Sequence, residues 1–362
     1  MFPAPLSPLE SRRHTGAQTA MPRVVAIGGG TGLPNVLRGL RPLLYSAAGS
    51  SEPRDRLVAI VATSDDGGSS GKLRAEFNMV PPGDIRNCLA ALSDNHALIA
   101  DLFQYRFGSG DGLNGHALGN LVLAALADVM NDFPRAVEVA ARVVGARGTV
   151  LPATSEVVTL VAEFEDGRVL SGESAIAAAG GRIARVSLIP DRPRFVPETT
   201  EVLRRADVIV AGPGSLFTSI LPPLLVPQVA QAVRGSAALR VLVANLMTEP
   251  GETDDYSVLE HVLTIERHLG AQLFDYVIYN TGTVPDALAA RYAERRARPI
   301  VTGSFELNAL ERLGIRPIGV PLVSEHPAGK IRHNPARLAA TITALAQGKL
   351  GAWRGRADAG GL

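Results

Sequence analysis

Apolar residues follow two rhythms along this chain. Short unbroken runs at 24–27, 57–62, 207–211, 240–244 and 275–279 read as strands buried on both faces, the habit of parallel sheets. Elsewhere the spacing lengthens to three and four. Val36, Leu37, Leu40, Leu43 and Leu44 predict a helix running on from Pro34. Leu118, Leu121, Val122, Ala125 and Val129 predict one apolar face of a helix over 116–130. Further helices are expected at 84–106, 134–143, 254–269 and 285–297. Strand and helix alternate, so the predicted class is α/β, a mostly parallel sheet with helices on both faces and right-handed crossovers.

The stretch 155–189 departs from that rhythm. Val157, Thr159 and Val161 alternate, Glu165-Asp166-Gly167 supplies a turn and Val169-Leu170 begins a return, which predicts a small β-rich excursion. Residues 1–20 and 351–362 carry no such pattern. They are expected to be flexible tails around a single α/β domain over 21–350, with Met21 offering a second start.

Composition narrows the function more than the fold. Of 362 residues 46% are hydrophobic and 20% charged, which is ordinary for a globular protein. Lys plus Arg number 36 against 35 Asp plus Glu, so no basic field gathers nucleic acid. The one cysteine, Cys88, makes no internal disulfide, no CxxC or HExxH pattern marks a zinc site, and no apolar run reaches the ~20 residues that span a bilayer. A cytoplasmic protein without a membrane span is the expectation.

Candidate chemistry gathers where strands end. Gly28-Gly29-Gly30-Thr31-Gly32-Leu33-Pro34 joins the first strand to the first helix, with Pro34 suited to a first helical position, and would offer backbone amides to an anion. It lacks the third glycine of the dinucleotide fingerprint, Leu33 standing there, which counts against an NAD-dependent oxidoreductase. Gly212-Pro213-Gly214-Ser215 repeats the strand-turn-helix design after 207–211, and two such loops on one parallel sheet suit a diphosphate. Ser215 alone is as well explained as a helix cap.

Asp65-Asp66-Gly67-Gly68-Ser69 follows the second strand. It fails the Walker pattern, since three residues separate Gly67 from Gly71 and Leu73 follows Lys72. Asp65 or Asp66 would accept from a sugar hydroxyl, hold Mg²⁺ against phosphate, or simply cap a turn. Asp84 is expected at a helix N-cap with Arg86 and Asn87 in the first turn, and His116 and Asn120 share a helix face. Asn245, after 240–244, could read a base or sugar edge. Asn334 is expected to cap and Pro335 to open the last helix, leaving Arg332 to close over phosphate, with Tyr292 a weaker stacking candidate than a packing aromatic.

Six ordered segments together resemble the YvcK-type gluconeogenesis factors of the CofD-like group: 28–33, 65–71, 82–87, 115–120, 212–216 and 247–253. The resemblance runs from about Met21 to about Leu345. It implies a Rossmann-like fold, a cytoplasmic UDP-sugar-binding regulator of cell shape and wall synthesis under gluconeogenic growth, and protein partners in wall synthesis. No required cofactor follows from it, and a homo-oligomer is expected. The related CofD enzymes imply an alternative, Mg²⁺-dependent transfer of a phospholactyl group from a nucleotide diphosphate adduct, with Asp65 and Asp66 on the metal and Arg86 on developing charge. Beyond that acidic pair, no positioned base and metal cluster is legible.

Overall fold

In a computed structural model, residues 21–45, 52–93, 98–326 and 329–348 are described. The tails expected at 1–20 and 351–362 lie outside them. Twelve strands occur among the described residues: β1 Val24–Gly28, β2 Leu57–Val61, β3 Thr149–Pro152, β4 Thr159–Phe164, β5 Val169–Ser171, β6 Ile183–Ile189, β7 Val208–Ala211, β8 Leu239–Val243, β9 Tyr276–Asn280, β10 Arg316–Val320, β11 Val323–His326 and β12 Lys330–His333.

Seven of them form one wholly parallel sheet in the order β10-β9-β8-β7-β1-β2-β3. The continuous apolar runs are explained by two cores. Along β1, Val24 and Ala26 pack into a layer with Leu33, Leu37 and Leu40, while Val25 and Ile27 enter the opposite layer with Leu216, Phe217 and Ile220. Alternate residues thus serve opposite faces, and neither face meets water. The β-rich excursion is present as a separate antiparallel sheet, β5-β4-β6, and β11 and β12 form a hairpin.

Strand order reverses at the centre. From β1 the chain moves outward through β2 and β3, then returns to the other side of β1 with β7 and works outward to β10. Loops leaving the carboxyl ends of β1 and β7 therefore flank a switch point, where open α/β sheets leave a crevice.

Several expectations are revised. The first helix spans Gly32–Leu44 with Thr31 as N-cap, so Pro34 is its third residue and not its first. The helix expected over 84–106 is two, Gly83–Leu92 and Leu98–Gln104. On Leu118–Met130 the buried residues are Gly119, Asn120 and Leu123, while Val129 is 82% exposed. The physical reason is close approach: a Cβ on Gly119 would stand 2.6 Å from the ring and backbone of Phe103, so the smallest residue sets the packed face. Asn334 does cap Pro335–Ala346, accepting the Arg337 amide at 3.0 Å. Among the described residues no single helix is long and apolar enough to cross a membrane. The bent pair Leu216–Leu225 and Pro227–Gly235 together have the length and composition, and residues such as Phe217, Leu221 and Val229 are buried in the core.

Candidate functional site

The β1 and β7 loops touch. A Cβ on Gly32 would fall 1.9 Å from the carbonyl oxygen of Pro213, so only glycine lets the backbones lie this close. Gly30, at φ +61°, makes the turn between strand and helix. Over the junction lies a cleft of about 520 Å³, lined by Gly30, Thr31, Gly32, Pro213, Gly214, Ser215, Asn245, Tyr292 and Arg332 from the predicted set. It is also lined by Met247, Thr248 and Glu249 of the 247–253 segment, and by Glu173, Thr218, Ser219, Arg295 and His333, which the sequence reading did not single out.

Not every loop amide is free. The Gly30 N–H donates to Asp84 Oδ2 at 2.6 Å, and the Gly214 N–H donates to Asn245 Oδ1 at 3.0 Å. Asn245 Nδ2 donates in turn to the Gly214 carbonyl at 2.8 Å, so its amide clamps the second loop with both ends rather than reading a base. Asp84 is likewise not an N-cap: Pro82 holds that position, and the carboxylate reaches across to the β1 loop. The first-turn amides of Gly32–Leu44 have no partner within the helix. After the second loop, Leu216–Ile220 winds as a π-helix, with the Ser215 hydroxyl oxygen accepting the Thr218 amide at 3.2 Å.

Carboxyl groups gather around the two loops, and their environments set their charge. Burial raises Asp84 to about 6, with Asp65 adding to the shift and the Gly30 amide and Arg86 opposing it. Glu173 is pushed to about 9 by burial and then by Asp84, Asp65, Glu252 and Asp66. Glu249 is raised by burial and by Glu252, while Glu252, which accepts from the Ser215 hydroxyl, is raised by burial. A protonated Glu173 is a hydrogen-bond donor at neutral pH, which is compatible with phosphate. The signal for Glu249 and Glu252 was present in the polar run after β8. Glu173 had none, because the helix between β5 and β6 carries it in from the excursion.

The other predicted residues form a neighbouring group and do not line the cleft. Asp65 Oδ1 accepts the Gly67 amide at 2.9 Å, and Asp66 Oδ1 accepts the Ser174 amide at 2.8 Å, capping Glu173–Ala179. Each carboxylate thus has a structural task. Among the described residues no group of three or more His, Cys, Asp or Glu side chains is arranged to hold a metal ion. Ser69, on the helix that opens at Gly68, bonds His116 Nδ1 at 3.1 Å and receives Asn120 Nδ2 at 3.0 Å, a buried trio. Arg86 binds Gln104 and Asn87 at 2.8 and 2.9 Å, and burial beside Arg106 lowers it to about 10. Gly28 ends β1 and Gly29 follows it, with a Gly29 Cβ blocked at 2.8 Å by Asp84; Gly212 stands just beyond the end of β7.

At the far rim Tyr292 is a packing aromatic whose hydroxyl accepts the Ile331 amide at 3.1 Å, tying β12 to Asp286–Ala293. His333 is buried and lowered to about 4, with Nε2 beside the Ala244 carbonyl at 3.0 Å, so it is neutral and structural. Arg332 is half-buried at the mouth, bonded only weakly to its neighbour's carbonyl at 3.3 Å.

Comparison with known proteins agrees with this architecture. The family model described as 2-phospho-L-lactate transferase CofD matches residues 24–323. The gluconeogenesis factor of Bacillus subtilis is 44% identical over 90% of this chain and 98% of its own. That of Listeria innocua is 41% identical over 91% and 97%. A crystal structure of a UPF0052 family member from Bacillus halodurans superposes with a TM-score of 0.82 at 41% identity, covering 89% of this chain and 98% of that one. The chain belongs to the CofD family, among the gluconeogenesis factors.

Proposed function

We propose that this protein is a nucleotide-sugar-binding regulatory factor acting in the cytoplasm, with a UDP-sugar such as UDP-N-acetylglucosamine as its ligand and cell shape and wall synthesis as its field of action. The observation that carries the reading is the contact of two glycine loops at the strand-order switch, beneath one cleft. The diphosphate would rest on the first-turn amides of Gly32–Leu44 and on the Gly212–Ser215 loop, with Arg332 closing over the charge. Raised carboxyls at Glu173 and Glu249 relieve the repulsion that ionised acids would exert there. The Asn245 clamp and the Asp84 bond fix the loops in advance, which lowers the ordering cost of binding.

A thermal-denaturation panel of UDP-N-acetylglucosamine, UDP-glucose, GDP and NAD tests this. Ligand at 100 times Kd adds about 2.7 kcal/mol, a rise of a few degrees or less. UDP-sugars should raise the midpoint most. If no nucleotide moves it, the reading fails.

The acid-lined wall favours a second reading, transfer of a phosphorus-containing group of the kind the matched family's name describes. Glu173 and Glu249, titrating above the usual carboxylate range, would then hold protons for the acceptor or leaving oxygen. Incubation with a nucleotide diphosphate adduct, an acceptor and Mg²⁺ separates the readings: turnover abolished by Glu173→Gln supports transfer, and tight UDP-sugar binding without turnover supports the regulator.

A further inference from the structure

The cleft does not end at Arg332. Behind Tyr292 a second concavity of about 500 Å³ is walled by Arg291, Arg295, Lys330 and Arg332, with Glu294 its one acid. Tyr292, Arg295 and Arg332 line both spaces, so a ligand lying over the loops has this chamber at its end. Arg291 extends its guanidinium over the turn at Gly329, where a Cβ would meet Nη1 at 2.7 Å.

Several arginines elsewhere on the surface pair with acids. Arg135 and Arg142 share Glu138, Arg205 takes Glu201, and Arg168 takes Asp166. Among the described residues no carboxylate lies within ion-pair distance of Arg291, Arg295 or Lys330. Cations gathered in one concavity repel one another and raise the local potential for an anion, and guanidinium groups match a carboxylate with paired hydrogen bonds. The cleft is thus polar along its length: carboxyl groups at the Glu173 and Glu249 end accept or share hydroxyl protons, and unpaired cations occupy the other.

We propose that this chamber is an anion subsite of the same cleft, and that it selects nucleotide-sugars whose sugar carries a carboxylate, held by Arg291 and Lys330 with Arg295 between the two spaces. The inference rests on the nucleotide-sugar reading of the loops. Neutral sugars bind through the diphosphate alone, and acidic ones gain a second charged anchor.

Calorimetric titration of the full chain with UDP, UDP-N-acetylglucosamine and UDP-glucuronate tests it. The wild type should bind UDP-glucuronate at least tenfold more tightly than UDP-N-acetylglucosamine. Arg291→Ala with Lys330→Ala should bring the two within about twofold while leaving UDP itself unchanged. Arg291 and Lys330 are exposed, so the fold should survive; Arg291→Gln with Lys330→Gln repeats the test with bulk retained. A wild type without preference for the carboxylate, or a preference that persists in both double variants, overturns the subsite alone. A wild type that fails to bind UDP removes the loop reading and this inference with it.

Discussion

Gly32→Ala puts the contact between the two loops to a quantitative test. The new Cβ would sit 1.9 Å from the Pro213 oxygen, where ordinary contact begins at 3.4 Å, so the loops must part by about 1.5 Å. Forced backbone shifts of this kind cost about 1–3 kcal/mol of stability. A ligand held on both loops would lose the hydrogen bonds on one side. Two charge-assisted bonds at ~1.5 kcal/mol each amount to about 3 kcal/mol, or roughly a hundredfold in Kd. Gly39 supplies the control. It lies two turns along the same helix, about 10 Å away, and its Cβ would meet the Pro335 oxygen at 2.1 Å, a clash of nearly the same depth at a helix crossing that leaves the contact between the two loops untouched. Urea denaturation should show similar losses for both alanine variants. Calorimetry with UDP-N-acetylglucosamine, at a temperature where each is folded, should show the affinity loss for Gly32→Ala alone. Equal affinities in the two variants would refute the argument that loop contact builds the seat.

Other outcomes follow from single contacts. The Asp84 carboxyl, raised from 3.8 to about 6, gives stability that is complete below pH 4 and is lost as pH rises through 6, a change of about 3 kcal/mol. Asp84→Asn, which can still accept the Gly30 amide, should therefore flatten stability between pH 4 and 6 and exceed the wild type at pH 8; an unchanged pH profile would remove the assignment. Arg240 holds Asp275 by two side-chain bonds of 2.9 and 2.7 Å in a nearly buried pair between β8 and the start of β9, so Arg240→Ala should cost about 3–5 kcal/mol in chemical denaturation. On Leu118–Met130, Leu123→Ala should cost about 2–5 kcal/mol and Val129→Ala less than about 0.5, which a paired urea titration decides.

The sheet was legible because strands buried on both faces leave unbroken apolar runs, and the loops because glycines cluster where those runs stop. The loop pairing followed from chemistry, and strand order then placed both loops at one switch point. What escaped notice has physical causes. β3 is four residues long with Pro152 in it, too short and too irregular to stand out. Leu118–Met130 is apolar nearly all round, so periodicity could not choose its face; Phe103 chose it by fitting Gly119. Glu173 reaches the cleft from the helix that follows β5 in the excursion, which a local motif cannot foresee. Asn245 and Asp84 were singled out as polar groups at strand and helix ends, but their partners are the opposing loops, a relation that exists only after folding.

The central pairing of β1 with β7 has a consequence for cooperativity. Each half of the sheet, β1 to β3 and β7 to β10, contributes one loop, and a ligand resting on both bridges the seam like a stitch. Its binding energy would then be felt as coupling between two folding units rather than as local rigidity. Amide exchange in β2 and in β8, strands that do not touch the ligand, should slow together when the cleft is filled.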